Sequence, residues 1–140
     1  MHLTVLDNLH KPDALEGDLE GNFIYKGNEV SISISPDDIP IEETLKLAKK
    51  FLSKLELYET KSLERVSEEY LPIYNEDWRQ DSAPILSKKE FFSNFTLIGL
   101  GFLSNDIVHF YFSENGMFGN HSIIPTSFDG ENFTYVDMYG

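Results

Sequence analysis

The chain has 140 residues, with 24 acidic and 11 basic side chains, 14% aromatic residues and no cysteine, so one compact domain over residues 1–140 is expected, and disulfides, thiolate metal sites and a cysteine nucleophile are excluded. Eleven phenylalanines and a hydrophobic fraction of 41% exclude disorder of the whole chain, because scarcity of apolar surface is what prevents a core from forming. No apolar run approaches the roughly 18 residues of a membrane span, and Met1-His2-Leu3-Thr4 lacks the order of a signal peptide, so a soluble cytoplasmic protein is expected.

A short apolar start (Leu3, Val5, Leu6) leads into a polar, acidic stretch, Lys11 to Gly21, that reads as a loop. Asn22 to Lys26 and Glu29 to Ser35 then flank Gly27-Asn28, and the second run alternates strictly, with Val30, Ile32 and Ile34 on one face. A hairpin with a tight, glycine-containing turn is predicted.

From Pro40 the period changes from 2 to 3.6. Ile41, Leu45, Ala48, Leu52 and Leu55 recur at helical spacing with Phe51 widening the stripe, Glu42 and Glu43 early and Lys49, Lys50 and Lys54 late, as the helix dipole favours. A second helix is predicted over Thr60 to Leu71, ending where Pro72 disfavours helical geometry in the residue before it. A third, short one starts at Ser87, because Ser87-Lys88-Lys89-Glu90 has the form of a capping box.

The remainder reads as four strands, Phe95–Leu103, Ile107–Ser113, Asn120–Ile124 and Phe133–Met138, with reversals at Ser104-Asn105-Asp106, Asn115-Gly116 and Asp129-Gly130. Val108, Phe110 and Phe112 alternate with Ile107, His109 and Tyr111, which predicts a central strand covered on both faces. The expected fold is α+β: an antiparallel sheet made of the N-terminal hairpin and a C-terminal four-stranded meander, with two to three helices packed on one face.

The formal charge of −13 repels phosphate, and no cluster of Lys and Arg with interleaved aromatics relieves it, so nucleic acid and anionic membranes are poor partners. Residues 1–40 carry eight acids and two bases, 41–90 eleven and nine, and 91–140 five acids with no base. The excess therefore lies at the two ends. Gathered on one face it would suit a basic protein; spread out it would serve solubility alone.

Four histidines are the natural place to look for acid–base or metal chemistry. His2, His10, His109 and His121 have no i,i+4 partner and fall in no ligand pattern, so neither metal nor cofactor is expected. His109 reads as a hydrogen-bonded core residue, whereas His121 follows a glycine-flanked loop, Gly116 to Gly119, and reads either as a turn-pinning imidazole or as a general base. Tyr74, Asn75 and Trp78 lie in a dense aromatic and polar segment after the proline, of the kind that anchors binding surfaces or closes a helical layer over a sheet. Adjacent carboxylates such as Glu68/Glu69 and Glu76/Asp77 diverge on a helix and read as a solvated face rather than a catalytic pair. There is no G-x-S-x-G, P-loop, G-x-G-x-x-G or EF-hand pattern.

Tyr74-Asn75-x-x-Trp78, Leu86-Ser87-x-x-x-Phe91, Phe118-Gly119-x-His121-Ser122-Ile123 and Gly140 resemble an uncharacterised bacterial domain family with the motifs YNxxW, LSxxxF and F-(W/G)-G-H-x-I. In that pattern the histidine follows glycine directly, whereas here Asn120 intervenes or replaces that glycine. The resemblance implies no known catalytic activity and, through small acidic domains of toxin-immunity type, implies a binding role by analogy. The expected function is a non-enzymatic binding protein, an immunity-type inhibitor of a basic toxin, contacting its partner through Tyr74, Asn75, Trp78, Phe118 and His121. The alternatives are a small hydrolase or ligand-binding enzyme with His121 as general base and Tyr74 or Asn75 positioning substrate, or an oligomerisation domain; the oligomeric state is left open.

Overall fold

A computed structural model of the chain describes residues 3–10 and 18–140. His2 and residues 11–17 of the expected N-terminal loop lie outside the described residues. The fold is α+β, a six-stranded sheet with three helices. A 3-10 turn at Leu3–Asp7 precedes β1 (Leu19–Tyr25) and β2 (Asn28–Ser35); α1 (Ile41–Ser53), α2 (Leu55–Ile73), a π turn at Tyr74–Trp78 and α3 (Lys88–Phe92) follow, then β3 (Thr96–Leu103), β4 (Ile107–Ser113), β5 (Ser122–Ser127) and β6 (Phe133–Tyr139).

The strands lie in chain order, β1-β2-β3-β4-β5-β6. Hairpin and meander join in one sheet as expected, but their junction corrects the expectation of a wholly antiparallel sheet: β2 runs parallel to β3, with Ser31 opposite Gly99 and Ile34 opposite Phe102. A parallel pair cannot be closed by a tight turn, so the chain crosses over between them, and all three helices lie in that crossover. The hairpin turn is also one residue earlier than predicted. Lys26 (φ 51°) and Gly27 (φ 82°) both take positive φ, the requirement of a type I′ turn, and Tyr25 pairs with Asn28 to close it. β1 in turn begins at Leu19, taking Glu20 and Gly21 out of the expected loop.

Helix boundaries move for identifiable reasons. The first helix breaks at Lys54 (φ −134°, ψ 41°), so Leu55 opens α2 instead of ending α1. The second helix begins ahead of Thr60 and runs through Pro72. Proline deletes one backbone donor close to the helix end, and the widened turn that follows is closed by Arg79 N–H donating to the Tyr74 carbonyl. The packing of Tyr70 and Tyr74 described below holds the chain helical where propensity alone would stop it. At α3 the capping box is present as predicted: Ser87 Oγ accepts from Glu90 N–H, and Glu90 Oε1 accepts from Ser87 N–H at 2.9 Å. β5 starts two residues later than predicted, because Gly119 (φ 81°) and Asn120 (φ 65°) are left-handed. It also continues through Pro125, opposite which the β4–β5 ladder is interrupted between the pairs His109–Thr126 and Phe112–Ile123.

The core lies between the sheet and the helices. Val30, Ile32 and Ile34 from β2, Leu100 and Phe102 from β3, and Val108, Phe110 and Phe112 from β4 are buried beneath Ala48, Phe51, Leu52 and Val66. Phe51 is the hub: it stacks on Tyr58 with centroids 4.0 Å apart and meets Phe102, Phe110 and Phe133 edge-on at 6.0–6.3 Å. Phe51→Ala is expected to cost about 3–5 kcal/mol of stability, whereas Ile24→Ala, at an exposed position, should change it by less than about 0.5 kcal/mol. Urea unfolding midpoints with unchanged slope check both.

The β5–β6 connection is tied to the helices. Tyr58 Oη donates to Glu131 Oε2 at 2.6 Å and Lys50 Nζ to the Gly130 carbonyl at 2.7 Å, while Asp129 Oδ1 accepts from the Glu131 and Asn132 backbone N–H groups. Those backbone donors, that of Asn132 first, hold the Asp129 carboxyl at about 2, below its ordinary 3.8. The folded state thus binds its proton less readily than the unfolded one. The contribution is fully present above about pH 4 and is lost as the pH falls toward about 2. Asp129→Asn should therefore flatten the dependence of stability on pH between about pH 4 and 2, measured by urea midpoints across that window.

Candidate functional site

Two regions gather side chains capable of recognition. The first is an aromatic corner where the end of the crossover meets the β4–β5 connection. Phe118, fully buried, is met edge-on by Tyr70, Tyr74, Trp78 and Phe91 with centroids 5.5–6.5 Å away. The corner brings together residues separated by some forty positions in the chain, and all five sequence-predicted site residues fall within it. The polar side chains of Asn75 and His121, however, are engaged in building it.

Asn75 clamps the chain ahead of α3: its Nδ2 donates to the Leu86 carbonyl at 3.1 Å and its Oδ1 accepts from Leu86 N–H at 3.0 Å. Arg79 is turned inward as well, donating to the carbonyls of Asn75 and Ala83. The loop after β4 winds around the buried Glu114, whose carboxylate accepts from the backbone N–H groups of Gly116 and Phe118. His121 Nδ1 donates to the Phe118 carbonyl, and Gly140 packs on the far side of the ring so closely that a Cβ there would lie 2.3 Å from Cδ2. His121 therefore pins the turn. A cleft of about 320 Å³ lies between Tyr74, Trp78, Gln80, Gly116, Met117 and Gly119, and His121 does not line it. Trp78, 43% exposed, is the most open of the five.

The second region is the sheet face turned away from the helices. The structure corrects the expectation that β4 is covered on both sides: Val108, Phe110 and Phe112 are fully buried, whereas Ile107, His109 and Tyr111 are half-exposed, with no helix over them among the described residues. His109 accordingly is not a core residue. Its Nδ1 shares a hydrogen bond of 2.8 Å with Thr126 Oγ1, and partial burial pushes the imidazole below its ordinary pKa, favouring the neutral ring.

Glycines at 99 and 101 keep the middle of this face flat. A Cβ at Gly99 would meet Tyr111 at 3.3 Å and Ser31 Oγ at 3.1 Å, and one at Gly101 would meet the Tyr111 ring at 3.5 Å, so Tyr111 lies across both. Its ring divides two depressions. One, about 540 Å³, is bounded by His109, Thr126, Phe128, Tyr135, Asp137 and Tyr139; the other, about 460 Å³, by His10, Glu20, Asn22, Ser31, Ser33 and Ile98. Tyr111 and Ser122 border both, so they form one trough across the sheet. Five of the nine exposed large hydrophobic side chains among the described residues, Ile24, Ile98, Phe128, Tyr135 and Tyr139, stand on this face.

The trough was outside the residues singled out from sequence. Its signal was present in β6, where Tyr135, Asp137 and Tyr139 alternate outward at period 2, and in the Ile107, His109, Tyr111 side of β4. Among the described residues no group of three His, Asp or Glu side chains could hold a metal, and no helix is long and apolar enough to cross a membrane. Asn75→Ala, which removes both bonds to Leu86 and leaves that backbone unpaired, is expected to cost about 1–3 kcal/mol of stability while leaving the trough unchanged. Denaturant midpoints, read beside the amide spectrum of β4 to β6, check this.

No curated protein and no solved structure matches the chain. A family model described as "Uncharacterized protein conserved in bacteria (DUF2262)" matches residues 12–135, and with this coverage the chain belongs to that family.

Proposed function

We propose that this is a non-enzymatic binding protein of the cytoplasm that holds a basic protein against its open sheet face, in the manner of an immunity-type inhibitor of a cationic toxin. The observation that carries the reading is the make-up of that face. It presents exposed aromatics and the carboxylates of Glu20, Glu29 and Asp137, and of the described lysines and arginines all but Lys26 lie within residues 41–90, in the helical crossover. Lys26 itself is drawn to Glu59 at 2.7 Å.

Size favours a macromolecular partner. Six strands about 4.8 Å apart and about seven residues long, at about 3.3 Å each, give a face of roughly 24 by 23 Å. That area, about 550 Å² before side-chain relief, approaches the roughly 800 Å² one partner contributes to a stable protein interface. A nucleic acid or an anionic membrane would meet carboxylates with no lysine or arginine among the described residues that line the trough. Catalysis by His121 gains no support from a ring that donates to a carbonyl on one side and is packed by Gly140 on the other.

Two baits discriminate the candidate surfaces. Immobilised wild-type protein is expected to retain a basic protein from the native organism's lysate and release it as salt rises. Purified and returned to the baits, that protein should bind Trp78→Ala and fail to bind the double variant Glu20→Lys/Asn22→Lys. The opposite pattern would put the partner on the aromatic corner, and an empty or salt-insensitive column would overturn the reading.

A further inference from the structure

We propose that the larger depression of the trough, between β4 and β6, is a socket for one arginine side chain of the partner. The inference rests on the protein-binding reading and deepens it by naming the group that is recognised. Along β6, Tyr135, Asp137 and Tyr139 point to the same side, about 7 Å from one to the next, so a carboxylate lies between two phenol rings. Phe128 approaches Tyr135 with centroids 6.4 Å apart, and Tyr111 walls the opposite side. The result is a carboxylate flanked by aromatic rings, within a depression of about 540 Å³ that no lysine or arginine lines among the described residues.

Ligand classes separate on this composition. An anion would face Asp137 with no described lysine or arginine in the lining to offset the repulsion. A neutral apolar group would cover the same carboxylate and strip its water without replacing the lost hydrogen bonds, which is a net cost. Asp137 Oδ1 accepts from the Met138 backbone N–H at 2.9 Å, and the side chain forms no ion pair among the described residues. A cation answers both the carboxylate and the rings, whose faces attract positive charge. Guanidinium suits the site better than ammonium. It is planar, stacks on phenol rings, sheds water more readily and bonds a carboxylate with two N–H groups at once.

The test is an NMR titration of the full chain with acetyl-Gly-Arg-Gly-amide, and with the same peptide carrying citrulline, which keeps the shape of arginine and loses its charge. Expected are saturating shifts confined to Tyr111, Phe128, Tyr135, Asp137 and Tyr139, with the citrulline peptide at least about tenfold weaker. Asp137→Asn should narrow the difference between the peptides several-fold, leaving only the preference of the rings for a cation, and Tyr135→Leu should weaken the arginine peptide several-fold while the remaining amide spectrum stays unchanged. Equal shifts from both peptides, shifts scattered over the helical layer, or no saturation by about 50 mM would overturn the socket. Concentration-dependent shifts of the same signals without peptide would identify a second copy of the chain as the occupant and overturn it too. The two proposals fail separately. If the socket fails here while Glu20→Lys/Asn22→Lys still abolishes capture, the face reading stands alone; if the arginine peptide binds here but no basic protein is retained, the socket stands and the protein-partner reading falls.

Discussion

Everything distinctive about this molecule follows from one pairing, the parallel contact of β2 with β3. Antiparallel neighbours can be joined by a few residues, but a parallel pair obliges the chain to leave the sheet, travel its length and return. Here the excursion takes residues 36–95 and contains all three helices. One excursion can cover only one face. Val30, Ile32, Ile34, Phe102, Phe110 and Phe112 are fully buried on the covered side, each burial worth about 1.5–3 kcal/mol, while the strands' alternate residues face outward. The dry face and the wet face of this sheet have the same origin.

The aromatic corner is the second consequence. A long crossover needs a fastening where it comes back to the sheet, and Phe118 supplies it, inserted among rings from α2, the π turn and α3. The polar groups nearby meet backbone demands that burial creates: Asn75 satisfies Leu86, Glu114 satisfies Gly116 and Phe118, and His121 satisfies the Phe118 carbonyl. A buried backbone group left without a partner costs as much as a lost hydrogen bond. A dense mixture of aromatic and polar residues therefore arises wherever an irregular loop is packed into a core, and by composition alone it is indistinguishable from a binding site.

That ambiguity explains which features were legible in the sequence. Short-range rules held wherever the deciding interaction is short-range: the alternation of Val30, Ile32 and Ile34, the Ser87–Glu90 box, the bounds of β4, and the left-handed glycines at 116 and 130. They failed where a distant contact decides. Pro72 is held in a helix by rings packed edge-on against Phe118, forty-six positions away, and the parallel pairing has no local mark, since a hairpin and a meander can join by either edge and in either direction. The outward side of β4 was misjudged for a related reason. Ile107, His109 and Tyr111 are as apolar as many buried triplets, and whether a second layer covers them depends on the course of the connection rather than on the strand.

Charge follows the same division. In the helical layer acids and bases are matched, Glu59 with Lys26, Glu131 with Lys50 and Lys61, and Glu64 with Lys88 across elements, and Glu68 and Glu69 with Arg65 within α2. The pairs other than that of the buried Glu59 are exposed and contribute little stability each, about 0–1 kcal/mol. Their larger effect is on the field: cancellation there leaves the sheet-side carboxylates, which form no ion pair among the described residues, to set its sign. Yet among the described residues the open face holds Glu20, Glu29 and Asp137, too few to bind by charge alone in physiological salt, where the screening length is about 8 Å. Charge of this size can orient an approaching basic surface, but retention must come from contacts made after water has left. On this face the aromatic walls around Asp137 are where such contacts are available, because a carboxylate between rings gains strength as its surroundings dry. Under the proposed reading, orientation and retention both fall to the sheet face that the crossover leaves without a helical cover among the described residues.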